Sequence, residues 1–161
     1  MKTKWTSENI PSQAGRRVVI IGANSGIGFE AALELTRKGA ELILPARTRA
    51  KAEDAVLRIL QQVPQASLYP EILGLADRAS IQAFAKRVIE RFPGQSLDLP
   101  INNAGVMALP KGKITPDGFE RQFATNYLGP FAPTGLLLPS IKAKPGRREA
   151  ALGRIGTHDQ C

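Results

Sequence analysis

The chain has 161 residues, 43% of them hydrophobic, and a formal net charge of +8. That is enough for one ordinary globular domain and too little for two, and no apolar run approaches the roughly 20 residues a membrane-spanning helix needs. The polar start "MKTKWTSENIPSQ" lacks the apolar core of a signal peptide. The single cysteine, Cys161, leaves no disulfide framework, so the expectation is a cytoplasmic protein in a reducing compartment. Positive residues alternate with Glu and Asp along predicted helix faces. Only the end is locally basic, through Lys142, Lys144, Arg147, Arg148 and Arg154. A solvated basic surface is therefore favoured over a nucleic-acid interface.

Val18–Ile21 reads as a short buried strand ended by Gly22. Ile27, Ala31 and Leu35 follow at helical spacing, and Lys38–Gly39 gives that helix a cationic end and a glycine stop. Glu41–Ala46 is a second strand. Ala52, Ala55, Val56, Ile59 and Val63 form the stripe of a second helix, which ends before Pro64. Glu71–Leu75 is predicted as a third strand. Asp77 can cap a third helix whose stripe is Ile81, Phe84, Ala85, Val88, Ile89 and Phe92, stopped by Pro93–Gly94. Leu97–Ile101 is a fourth strand, and a last helix is predicted from near Asp117 through Phe119, Phe123 and Tyr127. Strands alternating with helices predict right-handed crossovers and a doubly wound parallel α/β sheet.

The stretch "VVIIGANSGIGFE", Val18 to Glu30, places Gly22, Gly26 and Gly28 between a strand and a helix. A strand, a glycine turn and a helix start converge backbone N–H groups and the positive end of a helix dipole on one point, which suits a phosphate or pyrophosphate. Glycine serves the turn's unusual dihedrals and lets phosphates approach closely. Ser25 can add a hydroxyl donor, and Asn24 a side-chain bond that holds the loop. A tight turn with nothing bound would use the same residues, but the βαβ setting favours a nucleotide. No Gly-Lys-Ser/Thr follows, so the loop is not a P-loop, and there is no G-x-S-x-G nucleophile elbow.

About twenty residues beyond such a loop, an acidic residue would accept from the ribose of NAD, whereas an arginine accommodates the 2′-phosphate of NADP. Here the second strand ends in "LPARTR", giving Arg47 with Arg49 nearby and no acid. A guanidinium fork suits a phosphate. The alternative for Arg47 is a surface residue at a strand end. NADP is favoured over NAD.

"GANSGIG" (Gly22–Gly28), Arg47, "NNAGVM" (Asn102–Met107) and "FATNYLG" (Phe123–Gly129) together resemble the short-chain dehydrogenase/reductase family, and within it the retinol-dehydrogenase-like and protochlorophyllide-reductase-like bacterial members. The resemblance covers roughly Trp5 to Gly146. It implies a Rossmann-type domain over 16–146, after an N-terminal arm (1–15) and before a basic tail foreign to the family (147–161). It further implies NADP(H)-dependent hydride transfer between an alcohol and a carbonyl. By that likeness Gly22, Asn24, Ser25, Gly26, Ile27 and Gly28 would hold the pyrophosphate and adenosine ribose. Arg47 would meet the 2′-phosphate, and Asn103, Ala104 and Gly105 would line the cofactor. Asn126 matches the asparagine of the catalytic tetrad, which positions a water beside the active-site lysine; it also reads as a polar residue at a helix kink.

The sequence departs from the family where the chemistry would lie. A tyrosine that exchanges the substrate proton is followed four residues on by a lysine that lowers its pKa. The two tyrosines here, Tyr69 and Tyr127, are followed at that spacing by Leu73 and Phe131. After "LLLPSIKAKPG" the text becomes "RREAALGRIGTHDQC", with neither a strand-like run nor the orienting serine. A loss of the original reading frame near Gly146 or an equivalent truncation is expected, leaving about the first four strands and a catalytically inactive chain. Ile21 replaces a usual threonine, and Gly74 an aspartate that would meet adenine. Pro100 falls inside the fourth strand, and Pro130 and Pro133 within the last helix. With no fifth strand, the fourth becomes a sheet edge open to self-association. The competing expectations are an NADP(H)-binding fragment without chemistry and, behind it, a basic nucleic-acid-binding protein.

Overall fold

Strands and helices alternate strictly through the first two thirds of the chain in the computed structural model, which describes residues 5–107 and 112–141. In order they are β1 (Arg17–Ile21), α1 (Gly26–Arg37), β2 (Glu41–Ala46), α2 (Arg49–Leu60), β3 (Leu68–Ile72), α3 (Arg78–Arg91) and β4 (Leu99–Asn102). The four strands pair in parallel in the order β3-β2-β1-β4. This is the expected Rossmann-type sheet, represented by its first four strands.

Successive strand residues point to opposite faces, and both faces are apolar, so the sheet carries two cores. On one, Val19, Ile21 and Ile43 pack with Ile81, Phe84 and Val88 of α3. On the other, Val18, Ile20, Leu42 and Leu44 pack with Phe29 and Leu33 of α1 and Ile59 of α2. Helix boundaries follow local chemistry. Thr48 accepts from the Lys51 N–H to start α2, and Asp77 accepts from the N–H groups of Ala79 and Ser80 to start α3. At the end of α1, Ala40 N–H reaches Leu35 C=O at 3.1 Å and Gly39 N–H reaches Thr36 C=O at 2.9 Å, a Schellman closure. The arm before β1 docks there too, with Gln13 buried and its N–H on the Lys38 carbonyl at 2.7 Å.

Four predicted features shift. The buried face of α1 is Gly28, Phe29, Ala32, Leu33 and Thr36, while Ile27 is 82% exposed. The third strand is Leu68–Ile72 instead of Glu71–Leu75; Leu73 and Leu75 are buried in the segment that follows. The fourth strand starts at Leu99, because the Leu97 N–H goes to the Ser140 carbonyl at 2.8 Å. The last helical run starts at Arg121 rather than near Asp117. Gly118 has φ +83°, which no right-handed helix admits, and the Asp117 carboxylate accepts from the Arg78 N–H at 2.8 Å. The run comprises α4 (Arg121–Phe123), a π-helical turn (Ala124–Leu128) and α5 (Gly129–Leu137).

Two strand prolines sit where they cost little. Asn103 N–H bonds the Ile21 carbonyl; alternation then faces Ile101 toward β1 and turns Pro100 toward the outer edge. Pro45, in β2, stands just past Val19↔Ile43, where the β1–β2 register ends. Among the described residues β4 is an edge strand. The basic end and the expected loss of pattern after Gly146 lie outside the described residues.

Candidate functional site

All the candidate residues fall at the carboxyl end of the parallel sheet, where ligands bind in open α/β folds. β1 delivers its last residue, Ile21, into Gly22, and the chain turns through Ala23–Ser25 into α1. Gly22 has φ +93° and Gly26 φ +58°, left-handed conformations that only glycine adopts freely. At Gly22 a Cβ would also lie 2.7 Å from the Ala104 nitrogen. At Gly28 a Cβ would collide with the Gly22 carbonyl oxygen and lie 2.5 Å from Asn103 Nδ2. Gly22 and Gly28 thus let β1, α1 and the segment after β4 meet at van der Waals distance. Asn103 completes the junction by donating Nδ2–H to the Gly22 carbonyl at 3.2 Å.

Gly26 differs: a Cβ there would meet nothing within 4 Å. Ser25 caps α1 by position, yet its hydroxyl makes no capping bond, and Ser25, Gly26 and Ile27 are exposed. The first turn of α1 is thus left without a side-chain cap, at the positive end of the helix dipole. A diphosphate fits this donor set. Among the described residues the Asn24 side chain makes no hydrogen bond, where the sequence predicted one that holds the loop; the Asn24 carbonyl instead accepts from Arg58 of α2 at 3.1 Å.

Arg47 lies at the end of β2, adjacent to β1, and is exposed. Arg49 is engaged elsewhere. Its Nε bonds Glu53 at 2.7 Å, and that carboxylate raises the arginine pKa above its ordinary value. On the other side of β1, Asn103, Ala104 and Gly105 follow β4. Asn126 lies in the π-helical turn, and both ends of its amide are engaged: Oδ1 accepts from Val106 N–H at 2.8 Å and Nδ2 donates to Val106 C=O at 2.7 Å. A Cβ on Gly105 would sit 3.6 Å from Asn126 Oδ1. Pro130 has no N–H to return to the Asn126 carbonyl; the ladder slips by one residue, and Gly129 N–H bonds Ala124 C=O. Such π turns are frequent at functional sites. Thr134 then accepts from Asn102 Nδ2 at 3.2 Å, tying α5 to the end of β4. The structure thus gathers Gly22–Gly28, Asn103, Ala104, Gly105 and Asn126 at one edge, with Arg47 at the end of the neighbouring strand.

Residues 16–150 match the short chain dehydrogenase family. The chain belongs to that family. Human retinol dehydrogenase 13 is 41% identical over 151 residues, which is 92% of this chain and 45% of that protein. Mouse retinol dehydrogenase 12 is 40% identical over 161 residues, 96% of this chain and 49% of the relative. Among solved structures, an uncharacterized protein from Mycobacterium Paratuberculosis is similar with a TM-score of 0.74 and 42% identity, over 87% of this chain and 48% of that one. The Pseudomonas aeruginosa RhlG/NADP active-site complex is similar with a TM-score of 0.66 and 25% identity, over 80% and 49%. This short-chain dehydrogenase chain spans about half the length of the relatives it matches. The retinol-dehydrogenase likeness read from the motifs is borne out, and the family binds a nicotinamide dinucleotide. Among the described residues no helix is long and apolar enough to cross a membrane.

Proposed function

We propose that this chain is the NADP(H)-binding half of an alcohol–carbonyl oxidoreductase, and that the 161 residues by themselves bind cofactor without turning it over. The observation that carries this reading is the glycine loop, whose helix N-terminus has no side-chain cap and whose residues Ser25, Gly26 and Ile27 are exposed. Gly22, Asn24, Ser25, Gly26, Ile27 and Gly28 would hold the diphosphate and the adjoining ribose. Asn103, Ala104 and Gly105 would line the cofactor's other half. Arg47 supports NADP over NAD, because its guanidinium ends a strand beside the loop without an acidic neighbour in sequence. The nicotinamide, when bound, would supply or accept hydride. Proton exchange with the substrate oxygen has no donor here, since neither tyrosine is followed by a lysine four residues on. Asn126 would act by fixing the segment after β4 through Val106. A cytoplasmic setting follows from the same reading and the near absence of cysteine.

The test is a melt of the full chain, followed by circular dichroism, with NADPH, with NADH and alone. At 100 times its dissociation constant a ligand stabilises by about 2.7 kcal/mol, roughly 5–10 °C for a domain of this size. NADPH should raise the midpoint more than NADH, and Arg47→Ala should abolish the difference. A cooperative melt that neither nucleotide moves would refute the binding reading. Oxidation of NADPH by a carbonyl would refute the separation of binding from turnover.

A further inference from the structure

Arg58 belongs to no motif of the sequence, yet it joins three parts of the molecule. It lies in α2, its guanidinium sits 4.0 Å from the centroid of the Phe29 ring on α1, and its Nη1–H donates to the Asn24 carbonyl at 3.1 Å. Asp54, one turn earlier in α2, pairs with the same nitrogen at 3.5 Å. Phe29 is 5% exposed, so the ring is a fixed platform. An arginine stacked on a fixed ring presents its N–H groups in a set plane, which an ammonium on a flexible stem does not.

The carbonyl it takes matters because of the peptide unit that owns it. No peptide bond is cis, and in a trans peptide the C=O and the following N–H point in opposite directions. Holding the Asn24 carbonyl toward α2 turns the Ser25 N–H away from α2. That N–H has no acceptor among the described residues. It stands one residue before Gly26, in the exposed turn that leads into α1.

We propose that Arg58 is a positioning residue for the nucleotide loop: by fixing the Asn24 carbonyl it aims the Ser25 N–H, and the start of α1, at a bound diphosphate. This rests on the dinucleotide reading above. Arg58 is not a recognition element for the 2′-phosphate, because its face is on Phe29 and its Nη1 on Asn24. Its loss therefore falls equally on NADPH and NADH, whereas the loss of Arg47 falls on NADPH alone.

The experiment is fluorescence titration of NADPH and NADH into the full chain, for wild type, Arg58→Met, Arg58→Gln and Arg58→Lys, with the unliganded melt of each. Methionine keeps an apolar stem on Phe29 and removes the donors. It should weaken both nucleotides by the same factor, about tenfold for a lost charge-assisted hydrogen bond, with the unliganded midpoint changed by only a few degrees. Lysine, which still donates, should recover part of the loss for both. If Arg58→Met does not melt cooperatively, Arg58→Gln, too short to reach the carbonyl, is read in the same way. Wild-type affinity in the Met and Gln variants, or a loss confined to NADPH, would overturn the role. Binding of neither nucleotide by wild type would overturn the proposed function first and this role with it.

Discussion

Replacing Gly28 by alanine puts a methyl group where three parts of the site already meet. The added Cβ overlaps the Gly22 carbonyl oxygen, and lies 2.5 Å from Asn103 Nδ2 and 2.9 Å from the Gly22 carbonyl carbon. Two of those three atoms are backbone, so they cannot swing aside as a side-chain tip would. α1 must retreat from β1 by about an ångström, an overpacking cost of about 1–3 kcal/mol. The Asn103–Gly22 hydrogen bond is lost with it, about 1 kcal/mol more. Alanine returns about 1 kcal/mol through helix propensity, leaving a net destabilisation of about 1–3 kcal/mol. The comparison is Gly135→Ala in α5, an exposed position where a Cβ meets nothing within 4 Å. There only propensity acts, and the change should stabilise by up to about 1 kcal/mol. In urea, with a slope of about 1–3 kcal/mol per molar, the two midpoints should move in opposite directions, Gly28→Ala downward by roughly 1 M. Gly28→Ala should also lose NADPH binding at temperatures where it remains folded. A midpoint at or above wild type for Gly28→Ala would refute the close-approach argument, and so would shifts of the same sign in both variants.

Glu71 on β3 is 3% exposed, and its carboxylate is held by Arg87 at 2.9 Å and Arg91 at 3.4 Å. Arg87→Ala should cost about 1–3 kcal/mol by leaving a buried acceptor half-satisfied; the larger values of fully buried pairs do not apply, because Arg87 is 41% exposed. Glu71→Met with Arg87→Met should regain most of that in a denaturant titration, and a double variant no better than the single would contradict it. Glu120 accepts from the N–H groups of Gln122 and Phe123, and these bonds hold its pKa below the ordinary 4.5. A lowered folded value means its contribution is present above the ordinary pKa and lost as pH falls through the depressed one. Helical signal should therefore decline in the acid limb below about pH 4.5 with a component that Glu120→Gln removes; identical acid limbs in the two proteins would sink this.

The parallel sheet and the nucleotide loop were legible because their signals are local: a β-branched run, a glycine turn and a periodic helix, with strand and helix alternating onward from there. The face of α1 was not, because the helix carries two apolar arcs, Ile27–Ala31–Leu35 and Phe29–Leu33 with Ala32. Spacing alone cannot choose between them. Packing does, since only the arc containing Gly28 can approach β1, and Ile27 is left outside. The third strand was expected a few residues late; it includes Pro70, which an edge strand tolerates because the proline's missing N–H lies on the outer side. Gly129 closes the stretch "FATNYLG", yet nothing local explains why it must be glycine. A Cβ there would lie 2.7 Å from Leu75 Cβ, so the contact that requires glycine spans residues far apart in the chain. Arg58 gave no signal for the same reason: its partners, the Asn24 carbonyl and the Phe29 ring, lie about thirty residues away in the chain.

On the proposed function, the supports of the loop are what would let binding persist without turnover. Gly22 is packed by Ala104 and bonded by Asn103, Asn24 by Arg58, and Gly28 closes against Gly22. Every one of these residues lies between β1 and the segment just after β4. Asn126 adds the last tie, through Val106. The cofactor edge is therefore stiffened by contacts internal to the first four strands. The proton-transfer pair would have to come from residues that this sequence does not carry at the required spacing. On the proposed function, a binding edge that is locally complete would keep its affinity for a dinucleotide without the catalytic tyrosine and lysine, because the diphosphate contacts would come from backbone donors positioned by residues of these first four strands and their helices, Arg58 among them.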